Sequence, residues 1–182
     1  GDGVFTDGAG RFVLPAVATV TVPRGVLTIE AFAGIETELA RSTADLTGRP
    51  AAEVDLPLTA FSSTVSRGWY AGNTHLHLQK LTREQTDTYL RTVPRGDGLD
   101  LVFVSYLERL NDDRLYISNE YTLADLERLG GRDLLFGNGE EHRHNFGRGG
   151  EGYGHVIFLN LRELVRPVSI GAGITGRGPD WP

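Results

Sequence analysis

The sequence predicts a small antiparallel β-sandwich over residues 1–66 followed by an α/β domain over residues 67–182. Three observations predict it. Short β-branched runs separated by Gly and Pro turns fill the first part. Strand-like and helix-like patterns alternate in the second. All five histidines lie in that second part, none before His75 or after His155.

The first part is read in order. Phe5 and Phe12 flank a turn-rich centre, a hairpin signal. Residues 17–22 are rich in β-branched side chains and read as a strand. Pro23-Arg24-Gly25 turns the chain, Pro fixing one dihedral and Gly relaxing another. Residues 26–32, 41–47 and 52–58 give further short strands, with Gly48-Arg49-Pro50 between the last two. The carboxylates here (Asp2, Asp7, Glu30, Glu36, Glu38) are scattered and read as solvated, not catalytic. Residues 61–67 form a polar connection and the expected boundary between the two parts.

Residues 73–78 then read as a strand. Thr82 with Gln85 makes a capping box that opens a helix to about Val93, and Pro94 and Gly96 are expected to end it. Residues 99–104 are apolar except Asp100, as in a strand buried on both faces of a parallel sheet. Thr122 caps a second helix over 123–129, stopped by Gly130-Gly131. Residues 134–136 and 155–159 supply two more strands. Strand and helix alternation of this kind suits a barrel or a doubly wound sheet.

Composition narrows the chemistry. The net charge is −6 and no block of Lys or Arg stands out, which argues against nucleic acid as a partner. No apolar run approaches the roughly 18 residues of a membrane span. With no Cys, disulfides and thiolate metal sites are excluded, so a metal would rest on His, Asp or Glu. The chain opens without Met and contains none, and it reads as part of a longer protein.

The candidate site follows from the histidines. His75 and His77 stand two apart, so a strand would aim both at one point while Leu76 and Leu78 pack the other way. A histidine on a strand is more often a packed or hydrogen-bonded residue, so spacing alone leaves structural and metal-binding readings open. Glu140 and Glu141 follow the third strand, and His142 and His144 repeat the two-residue spacing. In α/β folds, sites gather at the carboxyl ends of strands. Residues 147–154 form a Gly-rich loop with no Gly-Lys-Ser/Thr ending, so it is a cover or a tight turn, not a phosphate loop.

These residues resemble a known family. Gly68-Trp69-Tyr70-Ala71-Gly72-Asn73-Thr74-His75-Leu76-His77 is similar to the opening Gly-Trp-Tyr-x-Gly-Asp-x-His-x-His of CehA/McbA-like metallohydrolases of the PHP superfamily. Gly139-Glu140-Glu141 and the later Gly154-His155-Val156 resemble that family's Gly-x-Glu and Gly-His segments. Residues 1–66 resemble the carboxypeptidase regulatory-like β-sandwich that often precedes such domains. The resemblance implies an incomplete (β/α)7 PHP-type barrel, truncated at its C-terminal side, with divalent metal at its mouth. It implies His75, His77, Glu141 and His155 as ligands, with Glu141 and His155 in catalytic roles and Glu140 as the alternate for Glu141. The activity implied is hydrolysis of phosphoester, ester, carbamate or amide bonds in a small-molecule substrate. The cofactor implied is zinc, manganese or iron, and the implied location is secreted or periplasmic.

The chain departs from the family in two places. Asn73 replaces the Asp of the first motif, and Ser105, Tyr106 and Leu107 stand where the second reads Thr-Asp-His. Leu107 cannot bind metal. His142 and His144 are then either compensating ligands or exposed loop residues, the second being favoured. The same loss motivates an alternative function, a catalytically inactive binding protein with Trp69, Tyr70 and Tyr153 as stacking surfaces.

Overall fold

A computed structural model describes residues 5–6, 11–108, 116–145, 152–168 and 170. The chain divides into two compact units, 1–71 with 92–99, and 72–91 with 100–182.

The first unit holds two antiparallel ladders. β1 (Phe5–Thr6) pairs with β2 (Phe12–Val13), as the hairpin signal predicts. β3 (Val26–Ala31) pairs along its whole length with β4 (Ala40–Asp45). Arg41 and Glu30 face each other across that ladder and form an ion pair. The expected sandwich is not formed. Residues 17–22 and 52–58 carry no strand, and the described residues of this unit form only two-stranded sheets. β-propensity marks a surface suited to a ladder; it cannot supply the partner strand. Phe32, Ile35 and Phe61 accordingly remain exposed, and so do Trp69 and Tyr70.

The second unit is a four-stranded sheet in the order β5 (Gly72–Leu76), β6 (Leu101–Leu107), β7 (Leu135–Asn145), β8 (Gly152–Leu159). The first three strands are parallel and β8 returns antiparallel to β7. This corrects the barrel expectation. The described residues are mostly strands with two helices, where a (β/α)7 barrel needs seven strands each followed by a helix. The turning point lies after β7. Only residues 146–151 separate β7 from β8, and a parallel return needs a crossover of about a dozen residues or more.

The two helices form where their caps predict. Thr82 and Gln85 make the capping box before α1 (Arg83–Gly96), each side chain bonding the other's backbone N–H. Pro94 lies inside the last turn, not after it. It forfeits only its own N–H, and the carbonyls of Val93 and Pro94 still accept from Asp97 and Leu99. α2 (Leu123–Leu129) is capped by Thr122 and Asp125 and buries Leu126 and Leu129. Tyr121 donates to Asp87 at 2.5 Å, and the Arg83 guanidinium lies 3.7 Å from the Tyr121 ring centre. That clamp joins the start of α1 to the start of α2. Val102, Val104, Leu134 and Phe136 fill the core of the sheet, with Leu90 from α1 also fully buried.

Candidate metal centre

The register of the sheet decides which side chains meet. β7 is one of the two inner strands, paired on one edge to β6 (Leu107 beside Glu141) and on the other to β8 (Ile157 beside Glu141). Successive side chains alternate between faces. One face of β7 therefore carries Gly137, Gly139, Glu141 and Arg143. The other carries Phe136, Asn138, Glu140, His142 and His144. The strand runs nine residues beyond Phe136, where the apolar sequence pattern ends. Ladders on both sides hold this polar segment extended.

β5 delivers the first two histidines. Gly72 and Asn73 pair with Leu101 and Val102; a register shift follows before Leu76 meets Val104. The Asn73 side-chain oxygen accepts the backbone N–H of His75 at 3.0 Å within that shift. His75 and His77 flank Leu76 and reach the same carboxylate. Nε2 of His75 is 3.0 Å, and Nε2 of His77 2.7 Å, from Oε2 of Glu141. The two Nε2 atoms are 2.8 Å apart. Glu141 is only 1% exposed.

His77 is oriented from behind. Its Nδ1 lies 3.0 Å from the backbone carbonyl of Ser105. A carbonyl only accepts, so Nδ1 carries a proton, and Nε2 meets Glu141 either as a second N–H or, once deprotonated, as a lone pair that can take a metal ion. Glu141 also presents an acceptor. Burial pushes its carboxyl up, but the hydrogen bonds from His77 and His75 and the charge of Arg143 outweigh burial and hold it at about 2. The contact between His77 Nε2 and an ionised Glu141 thus needs a cation between them, either an added proton or a metal ion.

The donor set fits a metal. One atom from each of His75, His77 and Glu141 lies within 4.8 Å of the other two, so the group could hold a metal ion. Two imidazoles and one carboxylate are a set that first-row divalent ions accept, leaving an open position for water or substrate. The Ser105 carbonyl behind His77 is the outer-shell partner such a ligand ordinarily has.

The other residues that the sequence singles out fall elsewhere. His155 lies on β8 with Nδ1 2.7 Å from the second oxygen of Glu141, Oε1, and its side chain is 36% exposed. It reaches the carboxylate without joining the three ligand atoms. Glu140, His142 and His144 are buried in β7 on the opposite face, not in an exposed loop. Glu140 pairs with His142 Nε2 at 3.0 Å through Oε1 and accepts the backbone N–H of Val165 at 2.7 Å through Oε2. His144 stacks on His142, with ring centres 5.9 Å apart. Burial, then the neighbouring His142, lowers the His144 pKa. Most of the Gly-rich loop, and the Tyr153 side chain, lie outside the described residues.

Sequence reasoning missed two members of the site. Arg143 Nε lies 3.0 Å from Oε1 of Glu141, and Ser105 supplies the carbonyl behind His77. Arg143 stands two residues beyond Glu141, the same spacing that linked His75 to His77. Extending β7 past Phe136 would have placed it on that face. Among the described residues, no helix is long and apolar enough to cross a membrane. No protein-family model matches the chain, and no curated protein or solved structure matches it either.

Proposed function

We propose that this chain holds a divalent metal ion on His75, His77 and Glu141 and serves a hydrolase of phosphoester, ester, carbamate or amide bonds. The observation that carries the reading is the meeting of His77 Nε2, with its Nδ1 committed to Ser105, and the ionised Glu141. The motif likeness to CehA/McbA-like metallohydrolases supports the same chemistry, although the barrel of that family does not carry over. Zinc, manganese and iron are the ions that this donor set suits.

The bound ion would supply a water of lowered pKa, about 7 in known cases, and would polarise the scissile bond. The protein's own groups do the rest. His77 is held in one orientation by Ser105. Glu141 stays anionic well below neutral pH and gives the site its negative ligand. His155, partly open to solvent, places its Nδ1 2.7 Å from Oε1 of the same carboxylate.

A second reading, a binding protein without turnover, is favoured by Leu107. It is buried beside Glu141 in the register and offers no ligand atom. One experiment separates the two. The protein is reconstituted with zinc, manganese or iron, its metal content is measured, and hydrolysis of p-nitrophenyl esters and phosphates is followed with and without chelator. Chelator-sensitive turnover supports the hydrolase. Stoichiometric metal without turnover supports the binding protein, and a protein that takes up no metal overturns the metal-dependent hydrolase and leaves the binding protein.

A further inference from the structure

Glu141 divides its two carboxylate oxygens between two kinds of partner. Oε2 faces the Nε2 atoms of His75 and His77. Oε1 faces Arg143 Nε at 3.0 Å and His155 Nδ1 at 2.7 Å. The β7–β8 register places Arg143 directly across from His155, so both come to that oxygen from one face of the sheet. A carboxylate bridging two metal ions uses its oxygens in the same divided way, and paired ions clamp the two sides of a displacement. Here the second place is occupied by a cation that belongs to the chain. A guanidinium keeps its charge, and its planar fork matches phosphate and carboxylate oxygens.

The surroundings fit that role. Leu107, the β6 partner of Glu141, brings no ligand for a second ion. Among the described residues Glu141 is the only carboxylate of the cluster, so a divalent ion together with Arg143 leaves an excess of positive charge that a bound anion would neutralise. The cluster is open to an incoming group. The side chains of His75, His155 and Arg143 are 45%, 36% and 20% exposed.

We propose that the centre takes one metal ion and that Arg143 supplies the second positive charge, binding an anionic oxygen of the substrate beside that ion. The proposal rests on the metal centre proposed above and adds its nuclearity and the charge of its substrate. The test uses the chain loaded with zinc or manganese, alongside R143Q and R143K. Metal content is read by plasma mass spectrometry, and binding of inorganic phosphate and of acetate by calorimetry. The expected result is one ion per chain in all three proteins. R143Q should bind the anion about tenfold more weakly or worse, the usual scale for a hydrogen bond to a charged group. R143K keeps the charge but loses the fork, and should be weaker by about threefold. The anion whose affinity falls identifies the substrate group as phosphoryl or carboxylate.

Two ions per wild-type chain would overturn the proposal. So would anion affinity in R143Q within about twofold of wild type, below the cost of one such hydrogen bond. If R143Q fails to fold by circular dichroism, the equally uncharged R143M decides, and wild-type affinity in R143M overturns the proposal. A wild-type chain that takes up no metal overturns the metal centre as well, and metal content alone distinguishes that outcome.

Discussion

Nδ1 of His77 meets the backbone carbonyl of Ser105 at 3.0 Å, and this contact aims Nε2 at Oε2 of Glu141, 2.7 Å away. The bond fixes the tautomer from the main chain of β6, so it survives any side-chain change at position 105. His77 is also more enclosed than His75, with 16% against 45% of its side chain exposed.

His77 and Glu141 should therefore matter more to metal affinity than His75. Replacing His77 or Glu141 by Ala should lower affinity by more than the roughly 10–100-fold that outer-shell partners contribute. His75→Ala should lower it less. Competition with a chromophoric chelator reads all three. Equal losses, or a greater loss at His75, would sink the ranking. Acid should release the ion by protonating the imidazoles that hold it.

Gly139 and Ser105 form a second testable pair. They are register partners, and a Cβ at position 139 would stand 2.5 Å from Ser105 Oγ and 3.4 Å from its Cβ. The Ser105 hydroxyl is buried and has no hydrogen-bond partner among the described residues. Gly139→Ala should cost about 1–3 kcal/mol through overpacking. Ser105→Ala should be neutral or stabilising, since it removes a buried hydroxyl that has no partner to lose. Combining the two should recover part of the Gly139→Ala loss. Thermal melts of the four proteins give the coupling, and strict additivity would refute the pairing.

The capping box of α2 has a pH signature. The backbone N–H and hydroxyl of Thr122 hold the Asp125 carboxyl down at about 2. Arg83, 3.4 Å away, lowers it in the same sense. The folded value lies below that of the unfolded chain. Its stabilisation is therefore complete above the ordinary carboxylate range and lost as the pH falls towards 2. Thr122→Ala should cost about 1 kcal/mol at neutral pH. The gap between wild type and Asp125→Asn should narrow as the pH falls from 4 to 2. A gap independent of pH would show that the cap does not depend on the charge.

The sequence made part of this site legible for a physical reason. A strand repeats every two residues, so His75 and His77 declare a shared face, and the Gly-x-Glu pattern carries Glu141. The capping residues Thr82 and Thr122 act locally and were readable in the same way. What stayed hidden depends on partners distant in the chain. Residues 137–145 lack the apolar pattern of a strand and are extended because β6 and β8 pair with both edges. That nonlocal pairing buries Glu140, His142 and His144, which look like loop residues by composition. It also brings Arg143 to Glu141. The converse failure lies at 17–22, where β-branched residues promise a strand that finds no partner.

Glu140 and His142 test this account of the far face. Both are fully buried, and His142 Nε2 lies 3.0 Å from Glu140 Oε1. Removing one member leaves the buried polar atoms of the other without that neighbour, so His142→Leu should cost about 1–3 kcal/mol. Replacing both by Leu should cost less than the two single changes together, because neither polar group is then left buried without the other. The double variant also asks which glutamate is the ligand. Glu141 faces the histidines, and Glu140 faces away towards the backbone of Val165. A folded double variant should retain its metal at wild-type stoichiometry. Loss of the metal from that folded protein would make Glu140 part of the centre and overturn the assignment of faces on β7.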